Sequence, residues 1–254
     1  MTTGRRRFLL RAGAGAGAAL VLSGCQKVLE TAPVRDLALS LDDFTMRSQR
    51  LVTDRKALAR EYAPSQMSPF FRPNGSRTVD RPEYQRMLAN GFADFRLTVG
   101  GLVQRSLQLS LAELMELPAR TQITRHDCVE GWSAIGQWTG TPLKLLMDIA
   151  GVDRSKARYL LFQCADEIGG VPYYETIDLV EALHPQTILA WRMNGQMLPE
   201  MYGAPLRLRV ERQLGYKHAK FVMGIEAIAD YRTIRGGKGG YWEDSADYEW
   251  WAGI

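Results

Sequence analysis

Helical spacing of hydrophobic residues is confined to short stretches of the chain. A first helix is predicted to begin at Asp80-Arg81-Pro82 and to end at Asn90-Gly91, and a second follows the capping box Ser110-Leu-Ala-Glu113. A third has Thr141 as its predicted N-cap and Pro142 at its first position, and its apolar stripe ends before Gly151. No helix longer than about three turns is therefore expected.

Alternating and β-branched stretches between these helices predict strands. They are Phe95–Val99, Leu107–Leu109, Arg120–His126, Arg158–Phe162, Tyr173–Ile177 and Ile188–Met193. Gly100-Gly101 predicts a turn, and Asn194-Gly195 a two-residue hairpin. After Leu206, apolar residues alternate with Arg207, Arg209 and Glu211, which taken alone predicts a strand with one solvated face. The pattern indicates an α+β fold with mixed sheets and short helices in a single domain.

Net charge changes this picture only at the N-terminus. The 254 residues carry a formal charge of +4, with 32 basic and 28 acidic residues. Residues 1–24 hold four of the arginines and no acid, so the rest of the chain is neutral. A role in binding nucleic acid has no electrostatic support.

The N-terminus has the features of an export signal. Arg5-Arg6-Arg7-Phe8-Leu9 is a twin-arginine pattern followed by a short apolar run, and Leu22-Ser23-Gly24-Cys25 is a lipoprotein processing box. We expect a signal at 1–25, a tether at 26–65 and the folded domain at 66–254. The chain is then periplasmic and anchored by lipid at Cys25, although ordinary cleavage nearby is the alternative.

Cys128 lies where a predicted strand passes into a loop rich in glycine and tryptophan. A lone cysteine is most often a buried structural thiol. It could also be a nucleophile with His126 as base, although no nucleophile signature surrounds it, and zinc-ligand spacings are absent from the sequence. A thiolate ligand to a redox-active metal also fits, with Arg125 and His126 expected to lower the pKa of the thiol. A disulfide with Cys164 would cancel that hypothesis.

Four motifs follow one another along the chain: Cys128–Ser133, Trp138–Leu143, Gly203–Arg207 and Gly215–Lys220. In this order they resemble the sulfite-oxidase-fold molybdopterin enzymes, in particular the branch of protein-methionine-sulfoxide reductases, and the resemblance runs from about Phe70 to Tyr231. It implies a molybdopterin-binding fold with Cys128 as the protein thiolate on molybdenum, and it argues against a disulfide. Arg125 and His126 join Cys128 as candidate catalytic residues.

The resemblance also implies a set of residues that bind the molybdenum-molybdopterin cofactor. Arg207 would clamp its phosphate, and the backbone of the Gly215 turn with a lysine would complete an anion site. Tyr202 departs from the residue usual before Gly-Ala-Pro in this family. The implied residues besides Cys128 are Phe71, Arg72, Asn74, Cys164, Tyr202, Arg207, His218, Ala219 and Lys220.

The expected function is reduction of S-oxides or N-oxides by a monomer, acting on a small-molecule or protein-bound substrate. No haem motif is present, so a separate partner, a membrane b-type cytochrome or a soluble cytochrome c, is expected to carry electrons. Sulfite oxidation and a non-catalytic envelope lipoprotein are the alternatives. Arg125 points away from the His126–Cys128 face, and nearby aromatic residues favour a neutral substrate. The aromatic tail from Gly236 to Trp251 is a lid or a C-terminal wrap.

Overall fold

The computed structural model describes residues 44–254. The predicted export signal, Cys25 and the beginning of the predicted tether lie outside the described residues. The chain divides into two compact units, Met1–Leu51 and Val52–Ile254. In the first unit residues 44–51 are helical, and everything below concerns the second.

Ten strands form two five-stranded sheets in the second unit. The strands, in chain order, are β1 (Leu97–Gly101), β2 (Leu107–Leu109), β3 (Arg120–Asp127), β4 (Ser133–Pro142), β5 (Tyr159–Ile168), β6 (Val171–Asp178), β7 (Ile188–Met193), β8 (Gln196–Met197), β9 (Arg207–Arg209) and β10 (Val222–Ile228). One sheet has the order β2-β1-β10-β5-β6, and the other has the order β3-β4-β7-β8 with β9 also paired to β7. Only β1 and β10 pair in parallel, so the sheets are mixed as predicted.

Five short helices and four single 3₁₀ turns complete the unit. The helices are α1 (Pro82–Ala89), α2 (Leu111–Glu116), α3 (Leu143–Ala150), α4 (Leu179–Ala182) and α5 (Tyr241–Ala246), and the turns are Pro64–Gln66, Glu200–Tyr202, Gly215–Lys217 and Tyr231–Thr233. Within residues 44–254, no helix combines the length and the apolar character needed to cross a membrane.

The predicted helix α3 is confirmed, but its start is not the one expected. Strand β4 continues through Pro142, and the helix begins at Leu143. The Thr141 hydroxyl donates to the carbonyl of Leu114 (2.8 Å) instead of capping α3. Leu143, Leu146, Met147 and Ala150 are all fully buried, so the stripe packs into the main core.

Two further expectations about strands are wrong. Gly100-Gly101 ends strand β1 instead of forming a turn, with Gly101 paired to Ala227. The strand predicted to end at Phe162 continues to Ile168 as β5, so Cys164, expected in a loop after it, lies within the strand and pairs with Val222 of β10. Strand β5 continues because Val222 and its neighbours on β10 provide a partner that the sequence pattern does not reveal. The hairpin at Asn194-Gly195 is confirmed, with φ of 50° and 80° and Met193 opposite Gln196.

Part of the segment ahead of residue 66 is packed along strand β3. The amide of Tyr62 donates to the carbonyl of Ile123 (2.9 Å), and Glu61 forms a bridge with Thr124. The amide of Ala59 donates to the Gln186 side chain (2.7 Å). Residues 52–65 therefore belong to the same compact unit as the predicted domain.

Candidate functional site

A tight hairpin holds the Cys128 loop. Strands β3 and β4 pair up to Asp127 opposite Ser133, which leaves five residues for the connection. The Cys128 amide donates to the Trp132 carbonyl (2.9 Å), and the Gly131 amide donates to the Cys128 carbonyl (3.0 Å). Gly131 has φ of 84°, a conformation that glycine adopts without strain. The backbone of Cys128 is therefore fixed from both sides.

The Cys128 thiol is free and nearly buried, with 8% of the residue exposed. Burial raises its pKa, whereas a hydrogen bond from the Glu130 amide and the guanidinium groups of Arg207 and Arg72 favour the thiolate. The expectation that Arg125 and His126 lower the pKa of this thiol is wrong. Arg125 is exposed and pairs with Asp127 (2.9 Å), and His126 is held neutral.

His126 is buried behind the cysteine loop. Its Nδ1 lies 3.0 Å from Nη1 of Arg209, and because a guanidinium only donates, Nδ1 must accept and the proton must reside on Nε2. Burial, reinforced by His218 and the nearby arginines, lowers its pKa far below the ordinary value. A histidine so occupied is unsuited to act as base for Cys128, which argues against the nucleophile hypothesis.

Gly215 packs directly on the His126 ring. A Cβ at position 215 would lie 2.5 Å from Nε2 of His126 and 3.2 Å from the carbonyl of Asp127. The rings of His126 and His218 also meet edge to face, with centroids 5.0 Å apart. The turn at Gly215–Lys217 and the cysteine loop are therefore pressed together through His126, and a glycine is required at the contact.

The charged face of strand β9 is buried, so the predicted solvated face is wrong. Arg207 and Arg209 are 0% exposed and Glu211 is 4% exposed. Arg209 donates to both carboxylate oxygens of Glu211 (2.9 and 2.6 Å), and Gln122 donates to the same carboxylate (2.9 Å). The ion pair satisfies the charges that the sequence pattern assigns to solvent.

Arg207 is a buried cation whose hydrogen bonds are long and whose partners carry no charge. It donates to the Tyr202 carbonyl (3.2 Å) and weakly to Asn74 (3.4 Å), and its Nε is without a partner among the described residues. Its guanidinium carbon lies 5.4 Å from the centroid of Trp138, with Arg209 at 4.4 Å from the same ring. Burial lowers the Arg207 pKa to about 9, with Arg209 adding to the effect. Such a group favours an anionic partner.

The segment after Gly215 places His218, Ala219 and Lys220 beside this cation, all buried. His218 Nε2 bonds the carbonyl of Gln213 (3.0 Å), which leaves Nδ1 buried without a partner among the described residues. Lys220 donates to the carbonyls of Asn74 and Met201 (both 2.9 Å) and to that of Ser76. Because three carbonyls use all its protons, Lys220 acts as a fixed positive charge that holds the loop 74–76. Burial lowers its pKa to about 7.

The loop at 71–76 supplies a third side of the site. Phe71 is buried, and its ring centroid lies 5.6 Å from that of His126 and 5.4 Å from that of Trp138. Asn74 reaches both Arg207 and Lys220, whereas Arg72 is exposed. Tyr202 donates to the Phe71 carbonyl (2.7 Å) and so holds this loop.

These segments enclose a cavity of about 350 Å³. Its walls come from residues 74–76, 128–130 and 215–220, from the ends of β5 and β6, and from the C-terminal tail. Of the predicted residues, Cys128, Asn74, His218 and Lys220 line it directly. Phe71, His126 and Arg207 lie behind the lining. The His126 ring contacts that of His218, Phe71 packs on His126, and Arg207 donates to Asn74.

Among the predicted residues outside the cavity lining are Arg125 and Cys164. Arg125 faces solvent with Asp127 as its partner. Cys164 is a free thiol in the main core, where burial raises its pKa well above the ordinary value. The structure therefore brings neither to the wall where Cys128 lies.

Sequence reasoning missed Asp166, which lines the cavity, and the roles of Arg209 and Glu211 behind it. Trp242 and Tyr248, which also line the cavity, belong to the aromatic tail for which a lid or a wrap was expected. The alternation of Arg207, Arg209 and Glu211 was a usable signal, because three charges on one strand must pair if that face is covered. Asp166 gave no local signal, since its burial depends on residues far away in the chain.

The Asp166 carboxyl is 4% exposed, and its Oδ1 is unpartnered within residues 44–254. Burial raises its pKa from 3.8 to about 6, against the opposing effects of Ser76 and Lys220. Because the pKa is higher in the folded state, the folded protein holds this proton more tightly. The stability that the protonated Asp166 carboxyl contributes is fully present below about pH 4 and is lost as the pH rises through about 6.

We therefore expect Asp166→Asn to abolish the loss of folding stability between about pH 4 and pH 7. Relative to the unsubstituted protein, the variant should gain about 3 kcal/mol of unfolding free energy between pH 4 and pH 7, since one pKa unit corresponds to about 1.4 kcal/mol. Urea denaturation of cofactor-free protein at several pH values measures this. The exposed Asp94→Asn is the control and should change stability by less than about 0.5 kcal/mol. Parallel pH profiles for Asp166→Asn and the unsubstituted protein would contradict the expectation.

Comparison with known proteins is consistent with this site. Residues 85–233 match the family described as "Oxidoreductase molybdopterin binding domain". A protein of Azospira oryzae, provisionally named a protein-methionine-sulfoxide reductase subunit, YedZ1, is 39% identical over 98% of this chain and 87% of its own length. The protein-methionine-sulfoxide reductase catalytic subunit MsrP of Xanthomonas axonopodis is 39% identical over 51% of this chain, which is 44% of that protein.

Among solved structures, the sulfane dehydrogenase SoxCD from Paracoccus pantotrophus is similar with a TM-score of 0.50 and 22% identity. The likeness covers 54% of this chain and 39% of the SoxCD chain. It supports the fold alone. The family match covers more than half of the chain and includes the Cys128 loop, strand β9 and the Gly215 turn. The chain therefore belongs to the family of oxidoreductases that contain a molybdopterin-binding domain.

Proposed function

We propose that this domain binds a molybdenum-molybdopterin group through Cys128 and reduces S-oxides or N-oxides with electrons from a separate partner. The observation that carries the proposal is the set of buried polar atoms without partners around one cavity. Arg207 Nε, His218 Nδ1 and Asp166 Oδ1 are all buried and unpaired within the described part of the chain. Since buried polar groups are almost always hydrogen-bonded, these atoms fit a polar ligand.

The residues present fit this group in charge as well as in hydrogen bonding. Molybdopterin carries an anionic phosphate and a pterin ring with both donors and acceptors on its edges. Arg207 and Lys220 supply buried positive charge, and Asn74 and His218 supply polar atoms at the cavity wall. Cys128 supplies one soft thiolate, the ligand type that selects such metals. We infer that Arg207 binds the phosphate and that the nearby charge of Lys220 favours it without a direct hydrogen bond. Asn74, His218 and Asp166 would hold the pterin edges, and Cys128 the metal.

When bound, the group supplies the two-electron chemistry that converts an S-oxide, two protons and two electrons into a thioether and water. The protein's own contribution is positioning. The hairpin bonds of Cys128 fix the thiolate, and Arg209 with Glu211 fixes His126, on which the Gly215 turn rests. Phe71 and Trp132 cover His126 with ring centroids 6.3 Å apart, which keeps water from the buried charges.

The direction of the reaction is supported by the character of the cavity wall. A sulfite oxidase holds a small dianion, which requires converging cations at an open position. Here Arg125 faces away and Lys220 is used by three carbonyls. Arg207 is assigned to the phosphate, and Arg72, whose charge also reaches Cys128, is exposed. The remaining lining includes Tyr173 and Tyr216. The two relatives named above carry the reductase name, and under this proposal the chain shares that activity.

Activity and metal content test the proposal together. Protein matured in a host that makes the cofactor should contain about one molybdenum per chain by elemental analysis. It should oxidise a reduced viologen dye with S-oxides or N-oxides and show little sulfite-dependent reduction of cytochrome c. Rapid oxidation of sulfite, together with no reduction of S-oxides, would show that the proposed direction of catalysis is wrong. A folded, metal-free product from the same host would favour the non-catalytic lipoprotein.

We further propose that the chain is exported by the twin-arginine route and anchored at Cys25, with a membrane b-type cytochrome or a soluble cytochrome c as electron partner. Export of folded protein suits a domain that acquires its cofactor in the cytoplasm. Arg5→Lys combined with Arg6→Lys should leave the precursor in the cytoplasm, measured by cell fractionation. Cys25→Ala should lose palmitate labelling, and labelling that persists would refute the anchor.

A further inference from the structure

The C-terminal tail forms part of the cavity although it lies beyond the matched family domain. That domain ends at residue 233, whereas Trp242 of helix α5 and Tyr248 after it both line the cavity. Both side chains are half-buried. The tail thus lies outside the residues matched by the family and still reaches the site.

A buried ion cluster fixes the tail to the Gly215 turn. Lys217 donates to Glu175 of strand β6 and to Glu243 of helix α5, both at 2.6 Å, and all three side chains are 1% exposed or less. Further along, the Leu214 amide donates to the Ala252 carbonyl (2.8 Å) and Tyr216 donates to the Glu249 carbonyl (2.7 Å). Because removing one member of a buried charge cluster is costly, the tail is held as a rigid wall.

The wall that the tail builds is aromatic and uncharged. Trp242 and Tyr248 stack with centroids 5.9 Å apart and 24° between their planes, and Tyr216 meets Tyr248 edge to face at 5.0 Å. The hydroxyl of Tyr173, another lining residue, donates to the Tyr216 carbonyl (2.8 Å). These rings present flat apolar faces, in contrast to the charged wall formed by Asp166 and Lys220.

We propose that Trp242 and Tyr248 are specificity-determining residues that select S-oxides with small apolar groups on sulfur. This rests on the proposed reductase function. Sulfur and its methyl groups interact favourably with aromatic rings, whereas an anion gains nothing from this wall. The cavity of about 350 Å³ must also admit the reactive part of the cofactor, so little room remains for the substrate. The rigid tail therefore sets an upper limit on substrate size.

The test compares a small with a bulky S-oxide on molybdenum-loaded protein. Dimethyl sulfoxide and methyl naphthyl sulfoxide are measured by calorimetric binding and by kcat/KM with reduced viologen. In Trp242→Ala and in Tyr248→Ala, the value for the bulky S-oxide divided by that for dimethyl sulfoxide should rise about tenfold, both in binding and in kcat/KM. A pocket that discriminates by one or two methylene groups gives an effect of this size. Trp250→Phe is the matched control. Trp250 lies in the same tail but outside the lining. The change removes its bond to Thr176 (2.9 Å) and keeps an aromatic ring against Tyr231 and Tyr159, so the ratio should stay constant.

The two measurements separate this inference from the proposed function. If the binding ratio shifts in the alanine variants but neither S-oxide is turned over, the assignment of Trp242 and Tyr248 would be supported and the proposed reductase activity refuted. An unchanged binding ratio in both alanine variants, with intact tail and metal content, would overturn the assignment whatever the activity. A ratio that shifts equally in Trp250→Phe would also overturn it, because the effect would then come from tail docking and not from the lining rings.

Discussion

Cys128→Ser should leave a folded, cofactor-containing protein that no longer turns over. The substitution changes one atom at the end of a hairpin whose two backbone hydrogen bonds do not involve the side chain, so the fold has no reason to change. A hydroxyl is a poor ligand for a soft metal at neutral pH. We expect turnover to fall by more than about a thousandfold, equivalent to about 4 kcal/mol of activation free energy. X-ray absorption should show one sulfur fewer on molybdenum.

Cys164→Ala is the matched control for this experiment. Cys164 is a free thiol like Cys128, but it lies in the main core and apart from the cavity lining. Its loss should lower stability through a small cavity while leaving the metal's sulfur count unchanged. If the two variants lost activity and changed the metal signal to the same extent, a structural role for both thiols would be the better account.

Glu211→Gln should be the most destabilising single change in the site. It leaves the guanidinium of Arg209 fully buried without a countercharge, and it turns an amide N–H towards a group that can only donate. Breaking a buried ion pair from one side costs about 3–5 kcal/mol. Thermal unfolding should therefore occur roughly 10 °C lower, at about 2–4 °C per kcal/mol for a domain of this size. Calorimetry of cofactor-free protein gives both values.

An exposed ion pair serves as the control for Glu211→Gln. Glu167 lies 3.7 Å from Arg81, and both side chains are substantially exposed. Glu167→Gln should change stability by no more than about 1 kcal/mol. Replacing both members of the buried pair, as in Arg209→Met with Glu211→Leu, should recover most of the lost stability. A double variant as unstable as Glu211→Gln alone would show that the hydrogen bonds of the pair to His126 and Gln122, not the charge, are the main contribution.

Local patterns predicted most of the secondary structure and the location of Cys128. Helix α3, strand β7 and its hairpin at Asn194-Gly195 could be predicted because their signals lie within a few residues. The start of α3 could not. Whether Thr141 caps a helix or bonds the Leu114 carbonyl depends on a residue 27 positions away. Cys164 was misplaced for the same reason, since only its pairing with β10 keeps it in a strand.

The electrostatics of the site were the hardest feature to predict. Alternation on strand β9 shows that Arg207 and Arg209 share a face, but not that the face is covered by Trp138 and Gln122. The same limit applies to the pKa of Cys128, which burial raises although cations lie near it in the sequence. Motif resemblance identified the segments that converge on the cavity. The contribution of the tail depends on the Lys217 cluster, whose members are far apart in the chain.

In the five-residue hairpin connection, the residues that fix the position of Cys128 differ from those that line the cavity entrance. Backbone bonds at Cys128 and Gly131 position the sulfur, whereas Val129 and Glu130, between them, are exposed and line the cavity entrance. The entrance can therefore be redesigned at position 129 while the proposed metal ligand stays in place. Position 130 offers less freedom, because the Glu130 carboxylate accepts from Trp132 (2.8 Å) and its charge acts on the Cys128 thiol.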